Sequence, residues 1–591
     1  MTSASPFAYR SLVGDEIRLI KLCGGRQSGD VRCTIEHVAL SAKPRFTALS
    51  YVWGDPADIA PIRLDGKEFN VSTNLRAGLA RMCGPPSAQN DPDGRLGDEW
   101  LWVDAICINQ QDVTEKSAQV PRMTDIYSSA RQVLAWLGEN EPDEVAALKL
   151  VFDLPRLVVA DVGRSGKNPN QYVADTVLQP LSRSFLFAAV AQSVPGVDTE
   201  AVTRALCLLY RRPWWRRVWI IQEAVLARGR LVWMAGPYAA HALLLDFFLD
   251  CWESSAKLTR YDEVFGSVKR ESKLMEVENH LRMAPPAVNT PAAFARALQE
   301  LILQTWSHKS TLPHDLVYGR LGIFGTEMLP RHMMPNYSLP FEAVFHDYAV
   351  FFLENTGSLA ILKTEARQLE GVPSWVPDFR SFMNSAGLKP ATPSAVRISS
   401  HRQILTVEGR RLATILHVHG RHTYEGIDIQ ATRTSVRSFV RWINEVMCPM
   451  LGATADDIVT KQWLPLLGAE LDEHKSTSLR NCFEWLRDSD EQRSPNAAWL
   501  YFEINQIAWC LGGYEAFVTT DGVAGYCLRR DGSLAPGDVV CAWKGMNLPT
   551  VVRSTAEGYL YLGPCLFGHE FSGQALNAAF FAGNEERWDL I

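Results

Sequence analysis

The sequence predicts an α/β protein with a parallel sheet in its N-terminal half. Three apolar stretches support this prediction: "FTALSYVWG" (46–54), "WLWVDAICI" (100–108) and a shorter run at 132–137. Each has the continuous apolar character of a buried strand. Helix-like segments alternate with these strands, a pattern that is typical of parallel sheets because each connection must cross from one end of the sheet to the other.

Length and composition limit the classes of protein to consider. At 591 residues the chain is too long for one domain, and its 47% apolar and 21% charged residues are ordinary for a globular protein. The net charge of −7 argues against a nucleic-acid partner, which would select a basic surface. The 12 cysteines include no CxxC pair, so we expect neither a disulfide framework nor a zinc ribbon.

The chain also lacks the signals of secretion and membrane insertion. The N-terminus has no basic segment followed by an apolar one, and no apolar run approaches the roughly 18 residues of a membrane span. Free thiols suit a reducing compartment. We therefore expect a cytoplasmic protein without a membrane span.

Local signals predict the elements around the three buried strands. "IRLDGKEFNVS" (62–72) is typical of a hairpin with an Asp-Gly turn, and "STNLRAGLARM" (72–82) predicts a helix with a Ser or Thr cap. "DVTE" (112–115) has the form of a capping box at a helix start. Pro121 must either kink that helix or mark its true beginning.

Changes in the predicted secondary structure along the sequence divide the chain into four regions. They are a β-rich lead-in at 1–45, an α/β domain at 46–235, a helical region at 236–385 and an α+β C-terminal region at 386–591. Residues 140–210 are expected to be mainly helical. The last eighty or so residues are predicted as short strands joined by tight turns.

One carboxylate is unusual in "WWRRVWIIQEAVLARG" (214–229). The stretch predicts a helix over 214–228, on which Glu223 has only apolar neighbours three and four residues away. Such a carboxylate is costly unless it is paired or used. Glu223 is either an ordinary exposed or distantly paired carboxylate, or a carboxylate in a cleft whose apolar surroundings tune its chemistry. Arg216 and Arg217 are expected to be solvated.

A second candidate site lies where the strand at 100–108 ends. Asp104 and Asn109 would lie near the carboxyl edge of the sheet, where open α/β sheets bind ligands, although Asp104 could equally cap a turn or helix. Cys107 has no activating partner nearby in sequence. The chain lacks the P-loop, G-x-S-x-G and H-E-x-x-H motifs, and "HVHGRH" (417–422) has no adjoining carboxylate or cysteine. We predict no metal site and no cofactor.

Three stretches, in this order, resemble the HET (heterokaryon incompatibility) domain of filamentous fungi. They are "FTALSYVWG" (46–54), "LWVDAICINQQDVTEKSAQVPRMTDIYSSARQVLAWLG" (101–138) and "RRPWWRRVWIIQEA" (211–224). Downstream segments such as "VPSWVPDF" (372–379) look like those that commonly follow this domain. Two departures are visible: Pro121 interrupts a helix, and "HKSTLPHDLVYGRLG" (308–322) is a loose version of the usual Asp-Pro-Arg-Asp segment. The resemblance implies a role in nonself recognition and programmed cell death.

HET domains are distantly similar to TIR domains, which implies a TIR-like (flavodoxin-like) doubly wound parallel sheet here. "ALSYVWG" would be the first strand and "LWVDAICINQ" the second, with its strand-end Asp. "RVWIIQEAV" resembles the TIR segment in which Trp is followed four residues later by Glu, here Trp219 and Glu223. In TIR enzymes that Glu catalyses NAD cleavage. The resemblance therefore implies an NAD glycohydrolase with Glu223 as its catalytic residue.

The same resemblance suggests a set of residues that would contact NAD as a substrate. They are Tyr51, Trp53, Gly54, Asp104, Asn109 and Trp219. A carboxylate beside the ribose can stabilise the positive charge that develops as nicotinamide leaves. The alternative is a non-enzymatic signalling module, which triggers cell death by assembling with itself or with a receptor-type protein partner.

Overall fold

The computed structural model describes most of the chain, in two compact units. The N-terminal unit comprises Met1–Ala287 and Ser307–Ser338, and the C-terminal unit comprises Val288–Trp306 and Leu339–Ile591. The described residues are 7–23, 30–83, 99–140, four positions between 145 and 152, 207–227, 229–242, 288–363, 368–380, 396–419, 429–463, 466, 473–488, 507, 515–527, 533–568, 578–581 and 585–591. Most of 140–210, predicted to be helical, lies outside them.

The N-terminal unit is built on a nine-stranded sheet. Its strands are β1 (Glu16–Leu22), β2 (Arg32–Ala39), β3 (Phe46–Tyr51), β4 (Ile59–Leu64), β5 (Lys67–Ser72), β6 (Trp100–Trp102), β7 (Gln132–Trp136), β8 (Leu231–Ala235) and β9 (Tyr238–His241). Their order across the sheet is β5-β4-β2-β1-β6-β3-β7-β8-β9. Each of the three predicted stretches contains a strand, β3, β6 or β7, and these lie side by side in the middle of the sheet. The strand predicted over 100–108 is wrong in its second half, because β6 ends at Trp102 and the Cys107 N–H donates back to the Val103 carbonyl in a short helix.

The sheet is mixed, whereas the sequence predicted a parallel one. The four neighbours β6, β3, β7 and β8 are parallel to one another. Antiparallel pairs β1–β2, β4–β5 and β8–β9 flank them. Each flanking pair is joined by a short connection, and a short connection can only produce antiparallel neighbours. The strands of the predicted lead-in belong to this same sheet, since β1 pairs with β6.

Local signals gave several elements correctly. The predicted hairpin is β4–β5, and Asp65 and Gly66 in its turn have φ values of 49° and 75°, as a type I′ turn requires. Helix α1 (Thr73–Met82) starts at Ser72, whose hydroxyl accepts a hydrogen bond from the Leu75 N–H. In both places the structure follows from a few adjacent residues.

Three further helices position the candidate site. They are α2 (Asp104–Cys107), α3 (Val113–Ser129) and α4 (Ile220–Ala227), with 3-10 turns at Leu40–Ala42, Pro213–Arg216 and Arg331–Met333 and a helix at Asp315–Leu321. Helix α3 runs through Pro121 without ending, and Asp112 caps it as predicted.

The helix predicted over 214–228 is wrong in its first half. A 3-10 turn occupies Pro213–Arg216, the backbone is extended at Arg217, and α4 begins only at Ile220. The reason is tertiary: the Val218 N–H donates to the Lys309 carbonyl, which lies much later in the chain. A backbone donor used in this way is not available to a helix.

The C-terminal unit combines helices with a second sheet. Its longer helices are Pro291–Gln304, Phe341–Thr356, Ile429–Trp442 and Glu473–Asp488; short ones are Leu359–Leu362, Ile443–Met447, Cys448–Leu451, Ala455–Ile458, Val459–Trp463 and Ala578–Phe581. The sheet contains β10 (Arg397–Ile398), β11 (Leu405–Val418), β12 (Glu515–Thr519), β13 (Ala524–Cys527), β14 (Val539–Trp543), β15 (Thr550–Ser554), β16 (Tyr559–Phe567) and β17 (Glu586–Leu590). Among the helices that the structure describes, none is both long and apolar enough to cross a membrane.

Candidate functional site

The candidate site lies at the carboxyl edge of the central parallel strands. Ser50 and Tyr51 are the last residues of β3, and Asp104 follows β6 after one intervening residue. Because β3 and β6 are parallel, these ends meet at one edge of the sheet, where open α/β sheets bind ligands. Glu223, in the first turn of α4, reaches the same edge through its contact with Ser50.

Glu223 is buried and held by the hydroxyl of Ser50. The residue is 1% exposed, and Oε2 accepts a short hydrogen bond from the Ser50 hydroxyl. The Trp214 indole N–H donates to the same Ser50 oxygen at 2.8 Å. An indole N–H can only donate, so Ser50 accepts from Trp214 and its own hydrogen is left for Glu223. The Tyr127 hydroxyl donates to the Leu49 carbonyl at 3.3 Å, and it also lowers the pKa of the Glu223 carboxyl.

Arg217 forms an ion pair with Glu223, which corrects the expectation that this arginine is solvated. Its Nη1 lies 3.6 Å from Glu223 Oε2, and its side chain is 16% exposed. On a continuous helix the two residues would point to different sides. The extended backbone at Arg217 lets the side chain turn back towards α4. Arg216, the other arginine of the pair, is exposed as predicted.

Asp104 is the second carboxylate of the site. Its Oδ2 accepts a hydrogen bond from Trp53 Nε1 at 2.9 Å, and its Oδ1 accepts one from the Ala105 N–H at 2.7 Å. The buried Tyr51 hydroxyl also lowers the pKa of this carboxyl. The structure therefore brings Tyr51, Trp53, Asp104 and Glu223 together, as the sequence suggested.

Burial sets the charge properties of both carboxylates. Desolvation raises the pKa of Glu223 above its ordinary value, while Arg217 and the Ser50 hydroxyl oppose the rise and Asp104 adds to it. Desolvation likewise raises the pKa of Asp104, again against the effect of Arg217. Two carboxylates therefore share one guanidinium, an arrangement that tunes proton affinity at many functional sites.

Removing the Glu223 charge is expected to change how stability depends on pH. A folded-state pKa above the unfolded one means that the wild type loses stability as pH rises from about 4.5 towards the folded pKa. Glu223→Gln removes this loss. The difference in Tm between Glu223→Gln and wild type should therefore grow more positive over that range, by about 3–5 °C for each pH unit separating the two pKa values. Scanning calorimetry from pH 4 to 8 measures it, and a constant difference would contradict the prediction.

The other three predicted substrate contacts have different surroundings. Gly54 follows Trp53 with a φ of 79°, a conformation that favours glycine. The Asn109 N–H donates to Glu115, and its side-chain oxygen accepts from the Gln111 N–H, so Asn109 shapes the loop between α2 and α3. Trp219 lies beside the buried Asp315 and lowers the pKa of that carboxyl. Their contact with NAD stays a prediction.

Sequence reasoning missed four residues of the site: Ser50, Tyr127, Trp214 and Arg217. Ser50 is the next-to-last residue of the apolar strand β3. A polar residue at that position is the signal that could have identified it. Tyr127 lies within α3 and is fully buried. Ser50 donates its hydroxyl to Glu223 and Tyr127 donates to the Leu49 carbonyl, and no local pattern reveals either contact.

Metal ligands are not assembled at this edge. Among the residues that the structure describes, no group of three or more His, Cys, Asp or Glu side chains is arranged to hold a metal ion. The donors around Glu223 are hydroxyls and a guanidinium, which suit an anionic carboxylate and not a cation.

Comparison with known proteins identifies the domain that contains this site. The model of the family described as heterokaryon incompatibility protein (HET) matches residues 46–223, from the start of β3 to Glu223. The chain is 26% identical over 421 residues to heterokaryon incompatibility protein 6, OR allele, of Neurospora crassa, which covers 64% of this chain. The chain spans 60% of the length of that relative. No solved structure matches the chain. Residues 46–223 are therefore a heterokaryon incompatibility (HET) domain.

Proposed function

We propose that the HET domain of this chain hydrolyses NAD, with Glu223 as the catalytic carboxylate. The observation that carries the proposal is the buried Glu223, held by Ser50 and Arg217 beside Asp104 at the carboxyl edge of the parallel strands. A carboxylate that is oriented in advance and shielded from water is what stabilisation of a developing positive charge requires.

The order of the parallel strands supports a TIR-like (flavodoxin-like) sheet as part of this proposal. In chain order the parallel strands are β3, β6, β7 and β8, and across the sheet they follow the order second, first, third, fourth. Flavodoxin-like sheets have this order and bind their ligands at the switch point between the first and third strands. Ser50 and Tyr51 end the first of these strands, so the carboxylates lie beside that point.

The proposed reaction breaks the bond between the nicotinamide nitrogen and ribose C1′. The bonding electrons pass to the ring nitrogen, which makes the departing nicotinamide neutral, and the ribose becomes an oxocarbenium-like cation. The Glu223 carboxylate stabilises that cation. Water then adds to C1′, and its proton is released, so the products are nicotinamide, ADP-ribose and one proton.

Access to Glu223 requires a movement, because the residue is 1% exposed. Trp53 is 38% exposed and donates to Asp104, so it is the group of the site that a ligand arriving from solvent meets first. We propose that the Trp53 ring swings away from Asp104 on binding and stacks on an aromatic base of NAD.

The first test is nicotinamide release from NAD by the purified chain. Measurement by chromatography, at low protein concentration and at high concentration to allow self-association, should show release in at least one condition. Absence of release in both, from folded protein, would refute the enzymatic proposal.

We further propose that this activity serves nonself recognition and programmed cell death in the cytoplasm, as the HET domain and the name of the Neurospora crassa relative suggest. Expression of wild type and Glu223→Gln in fungal cells, with cell death and NAD levels recorded together, tests this role. Death and NAD loss should both disappear in the variant. If Glu223→Gln kills as efficiently while NAD levels hold, the chain acts instead by assembly with protein partners.

A further inference from the structure

Arg217 is fixed in place by a part of the chain outside the range that the family model matches. Its backbone forms a parallel bridge with Lys309: the Val218 N–H donates to the Lys309 carbonyl at 2.9 Å, and the Lys309 N–H donates to the Arg216 carbonyl. Lys309 belongs to Ser307–Ser338, which is part of the N-terminal unit. Backbone hydrogen bonds to Lys309 on both sides of Arg217 fix the extended conformation there. This conformation, and not a helix, directs the guanidinium towards Glu223.

The contact between Arg217 and Glu223 is electrostatic rather than a hydrogen bond. A separation of 3.6 Å between Nη1 and Oε2 exceeds hydrogen-bond length. Nη1 is buried and has no hydrogen-bond partner within the part of the chain that the structure describes. A buried donor without an acceptor lowers the stability of the fold, so a buried Arg217 at this position needs an explanation. The Coulomb attraction to a buried carboxylate is strong enough to supply one.

The charges around Glu223 do not balance. Arg217 and Asp104 are the charges that act most strongly on it, and the Tyr127, Tyr51 and Ser50 hydroxyls complete its surroundings. Asp104 in turn depends on the same Arg217. Among the residues that the structure describes, one cation therefore serves the buried Glu223 and the half-buried Asp104. Its loss would leave two like charges facing each other in a poorly solvated site. At least one of them would then take up a proton.

We propose that Arg217 is a positioning residue for the proposed NAD cleavage, whose guanidinium keeps Glu223 ionised in the presence of Asp104. The inference rests on the proposed function, because only an ionised Glu223 stabilises the ribose cation. It adds a requirement that the catalytic carboxylate alone does not reveal: the site works only while the bridge to Lys309 holds Arg217 in place.

The test compares Arg217→Gln and Arg217→Lys with Arg216→Gln, a matched control that removes an exposed neighbouring arginine. Nicotinamide release is measured from pH 5 to 9. Arg217→Gln should move the acidic limb of kcat/KM upwards by about one pH unit, which is about a tenfold loss on that limb. Arg217→Lys should restore much of the limb, and Arg216→Gln should behave as wild type. A uniform loss with an unchanged pH profile would show that Arg217 is merely structural and would overturn the inference.

A second measurement does not depend on activity. The pH at which the Tm difference between Glu223→Gln and its parent levels off reports the titration of Glu223. That pH should be higher in the Arg217→Gln background than in wild type, and an unchanged pH would overturn the inference. If wild type releases no nicotinamide, the proposed function fails while this titration still decides the role of Arg217. Should Arg217→Gln not fold, Arg217→Met, which keeps the aliphatic stem, replaces it.

Discussion

Glu223→Gln is expected to reduce nicotinamide release from NAD by about 10²–10³-fold, the usual loss when one group that stabilises transition-state charge is removed. Glutamine keeps the size of the side chain and can accept the Ser50 hydrogen bond. It lacks the negative charge, which matters most when the ribose becomes cationic. The loss should therefore fall on kcat, with KM changed little, because the interaction strengthens only in the transition state.

Glu99→Gln is the matched control for this substitution. Glu99 is also a partly buried carboxylate with an ion pair, at 2.7 Å from Arg131, and it accepts a hydrogen bond from the Thr47 hydroxyl of β3. Thr47 lies near the start of β3, so Glu99 occupies the opposite edge of the same strands. The Glu99→Gln variant should retain wild-type turnover. Equal losses in both variants would indicate general damage to the domain, and equal turnover of Glu223→Gln and wild type would refute the catalytic assignment.

Glu223→Asp separates charge from position. Aspartate keeps the charge but withdraws the carboxylate by about one methylene, and a misplacement of about 1 Å can cost about 10²-fold in rate. We expect an intermediate activity, above that of glutamine. An aspartate variant as active as wild type would imply that Glu223 acts through the field of the site and not by direct contact with the ribose.

The parts of the fold that the sequence predicted well depend on short-range chemistry. The Asp65-Gly66 turn, the Ser72 cap and the continuous apolar strand at β3 each follow from a few adjacent residues. Glu223 also stood out locally, because its helical neighbours are all apolar. These features need no knowledge of distant segments.

The parts that the sequence missed depend on contacts between distant segments. The helix at 214–228 was predicted too long because Lys309 captures the backbone beside Arg217, and periodicity cannot register a partner so far away. The same error placed Arg217 in solvent. Glu115 is a second example of a contact that local sequence does not reveal. The capping-box pattern pairs it with the start of its own helix, yet its carboxylate binds Arg18 from β1 and the Asn109 N–H.

Glu115→Gln is expected to destabilise the N-terminal unit by about 3–5 kcal/mol, the cost of leaving a buried charge without its partner. The Arg18 side chain is fully buried and pairs bidentately with Glu115, at 2.6 Å and 2.9 Å. It also donates to the carbonyls of Cys107 and Arg10, so the guanidinium cannot leave for water without breaking several contacts. Thermal unfolding should show a Tm lower by about 10 °C.

Glu139→Gln is the control for burial. Glu139 pairs with Arg81 in the same bidentate geometry, at 2.7 Å and 2.8 Å, but both side chains are more than two-fifths exposed. Exposed pairs are worth about 0–1 kcal/mol, so this variant should unfold within about 3 °C of wild type. Similar losses for the two variants would show that burial of the Arg18 pair is not what makes it stabilising.

Glu115 and Glu223 should change the stability of the domain in opposite directions as pH rises. Burial opposes the charge of Glu115, but the hydrogen bonds from Arg18 and the Asn109 N–H outweigh it and lower its pKa. Its contribution is therefore present above about pH 4.5 and is lost as pH falls through the folded pKa, so the gap between wild type and Glu115→Gln closes in acid. For Glu223, desolvation outweighs a single guanidinium at 3.6 Å, and the wild type loses stability as pH rises. The Glu115 carboxylate accepts hydrogen bonds from donors at normal hydrogen-bond distances. The Glu223 carboxylate, by contrast, lowers the stability of the folded protein, and a purely structural role would not explain why it is kept.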